Sequence, residues 1–140
     1  MDRIEWTNAV VGKPWRDRTS GPDTFDCWGL VVDSFRRVDD TEIPVVTGYD
    51  LGAPIEVAGE AEKVSGHWQQ VDKAQDGAVF CAYSATGTLA HVGRVFDLRG
   101  AGLHAVHARG TNDKGQVAVD AVRVLERFYG GRITYHMLAV

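Results

Sequence analysis

Cysteine and histidine are the residue types in this chain best suited to act as nucleophile and base at neutral pH, and their neighbours single out a few of them. Cys27 stands in "TFDCWGLV", residues 24–31, between an aspartate and a tryptophan at what reads as the start of a helix. With Asp26 or Thr24 as the N-cap, its sulfur falls in the first turn, where unpaired backbone N–H groups and the positive end of the helix dipole favour an anion. A thiolate is such an anion. A free cysteine titrates near pH ~8.5, and helix N-termini or a neighbouring imidazolium lower this to roughly 3.5–7.5, so Cys27 is expected to be mostly ionised at neutral pH. Gly29 removes a side chain close to the sulfur and lets another backbone approach, at a helical cost of about 1 kcal/mol relative to Ala. Cys81 sits inside the apolar run "AVFCAY" and reads as a buried, unreactive thiol.

A thiol nucleophile needs a base, and the base needs a third polar group to orient it. His91 in "AHVGRV" lies on a predicted strand, a rigid platform for an imidazole. His104 and His107 compete to orient it, and the turn before them decides. A three-residue loop, Leu98-Arg99-Gly100 with Gly100 left-handed, sets His91 directly across from His107. A two-residue turn at Gly100-Ala101 pairs His91 with Gly110, turns His107 to the other face and puts His104 opposite Asp97. In neither register is His104 the near neighbour of His91. Nor do His104 and His107 share a metal, because residues three apart on a strand point to opposite faces. Cys27 and Cys81 are too few and too far apart for a disulfide framework or a paired-cysteine zinc motif.

These residues must be held by a particular order of elements. A first helix is predicted from an Asp2 cap to Val11, stopped by Gly12 and Pro14. "WRDRTSGPDT" reads as loop. The helix beginning near Cys27 carries Trp28, Val31, Val32, Phe35 and Val38 at three- and four-residue spacing, an apolar face that should meet a sheet. A long surface connection is read over 44–59 and a short polar helical stretch over 56–65. Strands follow at 77–83, 89–96, 103–108 and 117–122, then a helix-like "RVLERFY" and a closing strand "RITYHML". Helices first and antiparallel strands afterwards predict an α+β domain, with N-terminal helices packed on a central sheet.

The 140 residues, 44% of them hydrophobic, suffice for one domain, assigned to residues 1–140. A net charge of −4 with dispersed Lys and Arg offers no basic stripe, so nucleic acid is not an expected partner. No apolar run approaches membrane-spanning length, and the charged, Trp-containing "MDRIEWTNAVVGKPW" does not read as a secretory signal.

"GKPWRDRTSGPDTFDCWGLVVDSFRR", then "IP", "DGAVF", "HVGRV" and a later "HA", in that order, resembles the NlpC family of papain-like cysteine peptidases over about residues 4–138. The Asp-Cys-x-Gly-Leu and His-Val-Gly blocks are the specific parts. The resemblance is closest to tail-assembly and tail-tip proteins of bacteriophages and prophages, in which Trp or Tyr often follows the cysteine. It implies a papain-like fold, Cys27 as nucleophile, His91 as base and His107 as the third member. It also implies cleavage of amide bonds in peptidoglycan stem peptides, commonly between γ-linked D-glutamyl and a diamino acid, with no metal or organic cofactor. Trp15, Asp26 and Trp28 are the expected substrate-binding residues, the two indoles walling the cleft. Wall-recycling members usually have Tyr in place of Trp15 and Ser in place of Trp28, groups that help hold the free amine of the stem peptide. "DGAVF" reverses the usual Gly-Asp order. The expected setting is a virion tail or the cytoplasm of the producing cell, with other tail proteins as partners. Two alternatives accompany this reading: a tail structural protein with the same fold and little activity, and a thiol-dependent amidase or acyltransferase on another substrate.

Overall fold

A computed structural model of the protein describes residues 1–43, 68–98, 100–111 and 114–138. The connection expected over 44–59 and the helical stretch over 56–65 lie outside the described residues. The α+β expectation holds. Helix α1 spans Arg3–Val10, and its Asp2 cap accepts the Glu5 N–H at 2.8 Å. Helix α2 spans Cys27–Val38. Strands β1 (Trp68–Val71), β2 (Val79–Tyr83), β3 (Leu89–Asp97), β4 (Leu103–Thr111) and β5 (Lys114–Ala121) follow, then helix α3 (Val122–Phe128) and strand β6 (Ile133–Leu138). Among the described residues these strands form one antiparallel sheet in the order β1-β6-β2-β3-β4-β5.

Asp26, not Thr24, caps α2. Its Oδ1 accepts the Gly29 N–H at 2.6 Å and its Oδ2 accepts the Arg18 N–H at 2.8 Å, so one carboxylate ties the helix start to the preceding loop. The reason for a glycine at 29 is then visible: a Cβ there would run into the Thr19 carbonyl oxygen, which itself accepts the Asp26 N–H at 3.0 Å. The apolar stripe of α2 meets the sheet as the spacing predicts. Trp28, Val31, Val32 and Phe35 bury against Val79, Cys81 and Val92 on one face of β2 and β3. The opposite face carries Phe80, Ala82, Val95 and Ala105 and is covered by Val122 and Leu125 of α3.

The β3–β4 connection departs from both expected registers. Arg94 pairs with Val106 and Asp97 with Leu103, so the loop is residues 98–102 rather than three or two residues. Gly100 is left-handed as expected, at φ +70°, but Gly102 is left-handed as well, at φ +94°, and lengthens the turn. The actual register differs from the three-residue one by two positions, which keeps every side chain on the face that register assigns.

Arg94 clamps α2 to the sheet. It is 3% exposed; its Nε donates to the Gly77 carbonyl at 2.9 Å, one Nη donates to Ser34 Oγ at 3.0 Å, and the other pairs with Asp39 at 2.8 Å. Its guanidinium carbon lies 3.6 Å from the centre of the Phe35 ring. Removing one partner of a fully buried pair costs about 3–5 kcal/mol, and Asp39 keeps some solvent, so Arg94→Ala is expected to lose about 2–4 kcal/mol in urea unfolding. Arg94→Met, which refills the volume, is expected to lose less. An Arg94→Ala protein as stable as wild type would show that the clamp contributes nothing net.

Candidate active site

Strand β3 is irregular where it matters for chemistry. Ala82 of β2 pairs with His91 and Tyr83 with Leu89, so Ala90 is an extra residue bulged out immediately before His91. On the other side, the recorded β3–β4 pairs run from Arg94↔Val106 to Asp97↔Leu103 and do not include His91, Val92 or Gly93. His91, Gly93, His107 and Asp120 occupy the same face of the sheet by their period-two positions and pairings. Gly93 makes their contact possible: a Cβ on it would sit 2.8 Å from His107 Cβ and 2.6 Å from the Phe80 ring. With that side chain missing, the His91 and His107 rings meet, Nε2 to Nδ1, at 2.8 Å. Phe80 lies against both, with ring centres 5.6 and 5.8 Å away. His107 Nε2 in turn bonds Asp120 Oδ2 at 2.8 Å.

Cys27 is 7% exposed at the first position of α2. The N–H groups of Val92, Trp28 and Cys27 itself approach its sulfur and favour the thiolate, as the helix-start position predicts. They do not prevail. Burial, followed by the negative charge of Asp26, pushes the Cys27 thiol up to about 12. The expectation of a thiolate at neutral pH is therefore corrected: the same carboxylate that caps the helix stands beside the sulfur and repels its anion. No imidazolium offsets it. Burial, then the charges of His107 and Arg109, holds His91 down to about 3. His107 is also lowered by burial, although its bond to Asp120 and the charge of Asp120 pull the other way. Both shifts oppose a resting thiolate–imidazolium pair.

A cleft of about 320 Å³ opens on the histidine side. Its polar wall is His91, His107, Asp120 and Arg109, and its apolar wall is Val124, Leu125, Phe128 and Tyr129. Phe128 is 77% exposed there. Burial pushes the Tyr129 hydroxyl up, with the Arg109 charge acting against it.

The residues expected from the sequence fall into two groups. His91 and His107 are joined directly, and Cys27 lies against Val92, the neighbour of His91. His104 is on the opposite face, paired with Phe96 across the strands and bonded to the Gly102 carbonyl at 2.9 Å. Trp15, Asp26 and Trp28 are buried and do not line the cleft. Trp28 packs with Val31, Val32 and Phe35; Trp15 packs on Gly110, a residue of the cleft lining. Asp120 was not singled out from the sequence. In "VAVDAV" a lone aspartate reads as a solvent-facing strand position, and only its register against β4 brings it to His107.

Compared with known families, residues 12–122 match the NlpC/P60 family. The chain belongs to that family. Among solved structures it is similar to the NlpC/p60 domain of the peptidoglycan hydrolase SagA, at 19% identity and a TM-score of 0.59, covering 96% of this chain and 93% of that one. It is also similar to an N-acetylmuramoyl-L-alanine amidase from Bacteroides uniformis, at 13% identity and a TM-score of 0.54, with 99% of each chain covered. At these identities the likeness is one of fold. No curated protein matches by sequence. Among the described residues, no group of His, Cys, Asp and Glu has the arrangement of a metal site, and no helix is long and apolar enough to cross a membrane.

In this NlpC/P60 chain the thiol should behave as its surroundings dictate. Iodoacetamide labelling of Cys27 in the folded protein, mapped by peptide mass, is expected to be slow at pH 7 and to rise about tenfold per pH unit towards pH 10. Fast labelling that is flat between pH 6 and 8 would mean that the thiolate exists before substrate arrives.

Proposed function

We propose that this protein is a cysteine endopeptidase that hydrolyses amide bonds in peptidoglycan stem peptides, with Cys27 as nucleophile and His91 as base. Membership of the NlpC/P60 family and two structural neighbours that act on cell-wall material support the substrate class. The observation that carries the catalytic reading is the His91–His107–Asp120 chain lining a cleft, one residue along β3 from the Val92 N–H that approaches the helix-start thiol. The bond implied by the sequence resemblance is the one between γ-linked D-glutamyl and a diamino acid. The Trp28 that follows the cysteine supports a setting among the tail proteins of a phage or prophage, with peptidoglycan met during tail action.

The chemistry follows from a neutral resting pair. As the Cys27 sulfur attacks the scissile carbonyl carbon, its proton passes to the ring nitrogen of His91 that His107 does not use. The N–H groups around the sulfur then face the developing oxyanion. His91 returns the proton to the leaving amine, the C–N bond breaks, and a thioester remains. Water attacks the thioester with His91 taking its proton, the C–S bond breaks, and Cys27 regains its proton. Val124, Leu125 and Phe128 offer the substrate an apolar wall, and Arg109 a cation for a peptide carboxylate.

A second reading, a tail structural protein with this fold and little turnover, is favoured by a sulfur whose ionisation is opposed by burial first and by the Asp26 charge second. Incubation with purified sacculi separates the two. Wild-type protein is expected to release new amino groups and stem-peptide fragments, identified by mass. Cys27→Ala should abolish release with little change in thermal midpoint, and Cys81→Ala should lower stability through a small cavity beside α2 while leaving turnover intact. His107→Ala should lower kcat by about 10²-fold or more, and His104→Ala should leave it near normal. Intact sacculi with the wild-type protein favour the structural reading, and an inactive Cys81→Ala with an active Cys27→Ala identifies the wrong thiol.

A further inference from the structure

The two ring-to-ring and ring-to-carboxylate bonds form a directed chain from β5 to β3: Asp120 Oδ2 to His107 Nε2, then His107 Nδ1 to His91 Nε2, each 2.8 Å long. The direction of every hydrogen bond in it follows from which atoms can donate. An ionised carboxylate only accepts, so His107 Nε2 carries a hydrogen. A neutral imidazole has one N–H, so His107 Nδ1 is then an acceptor. His91 Nε2 must therefore donate to it, and a neutral His91 is left with its lone pair on Nδ1. Both rings are buried enough to be held neutral, which is the condition the sequence of steps requires.

We propose that Asp120 is a positioning residue that, acting through His107, confines the His91 proton to Nε2 and leaves Nδ1 as the only base in the site. This deepens the proposed peptidase reading and rests on it for its catalytic consequence, but the proton placement is a property of the protein alone. The opposite tautomer of His91 presents an N–H where the nucleophile needs an acceptor, and the attack loses its base. Asp120 is placed to prevent that through its bond to His107. It sits on β5 one diagonal from His107, since His107 pairs with Ala118 and Ala105 with Asp120. Its side chain is 29% exposed, and Arg109 approaches the same Oδ2 at 3.6 Å. The amide of an Asp120→Asn variant can present either an oxygen or an N–H to His107, so the tautomer is no longer dictated.

The test reads ring protons directly. Two-bond proton–nitrogen correlation spectra of ¹⁵N-labelled protein at neutral pH are expected to show His91 and His107 both neutral with the proton on Nε2. In Asp120→Asn the His91 proton should spread to Nδ1, and kcat on peptidoglycan fragments should fall about 10- to 10³-fold with KM and thermal midpoint nearly unchanged. A wild-type His91 with its proton on Nδ1 overturns the proposal, as does an Asp120→Asn protein with wild-type tautomers and kcat. The wild-type spectrum decides if the variant does not fold. A wild-type protein with the expected tautomers and no turnover would instead remove the peptidase reading and leave the proton relay standing.

Discussion

A hydrogen bond between two imidazoles on adjacent strands makes demands that reach through the whole sheet. The His91–His107 bond at 2.8 Å needs both side chains on one face, a gap between them where a third side chain would stand, and a floor that holds both rings. The first demand is a parity condition on the β3–β4 register, met by the loop over residues 98–102. Gly93 meets the second, and Phe80 the third. Just after the bulge at Ala90, His91 lines the cleft, and the next residue, Val92, points its side chain to the other face by the alternation of a strand and brings its N–H to the Cys27 sulfur at the start of α2. Arg94, next in line on the α2 face, anchors this part of β3 to Ser34 and Asp39. The element that aims the base is thus the element most firmly tied to the helix that carries the thiol.

The same burial that orders the rings sets their charge. Desolvation disfavours the imidazolium and the thiolate alike, and at Cys27 it is the largest influence, joined by the negative charge of Asp26 against three approaching N–H groups. A carboxylate is the strongest available cap for α2, and it also bonds Arg18 N–H, so the helix start and its loop depend on a group that opposes ionisation of the sulfur. The outcome is a nucleophile activated when its proton has somewhere to go, not one stored as an ion pair. Such a site is chemically quiet until a substrate carbonyl and the His91 lone pair are both in place.

Much of this was legible in the sequence. Two capped helices, the apolar stripe of α2, the apolar run of β2 and the strand-like runs of β3 to β6 follow from local pattern, and their order names the α+β class. The pairing of His91 with His107 was reached through a loop of the wrong length; two left-handed glycines, Gly100 and Gly102, make a longer turn than one, and the error was even, so the faces survived. Strand β1 was missed because "WQQV" is short and polar, half exposed at the sheet edge beside β6. Trp15 and Trp28 were expected at the cleft and are core residues, since large indoles next to a helix start serve packing as readily as recognition. Asp120 and the charge state of Cys27 depend on what lies across strands and on desolvation, neither of which local sequence carries.

The central claim is that Cys27 forms a covalent bond to a peptidoglycan peptide during turnover. The direct measurement is the intact mass of the protein acid-quenched while it acts on a purified muropeptide, with the adduct located by peptide mapping. A thioester on Cys27 that appears in the wild type and not in Cys27→Ala is the result expected here. Turnover of the muropeptide with the adduct on Cys81, or undiminished turnover in Cys27→Ala, would contradict it.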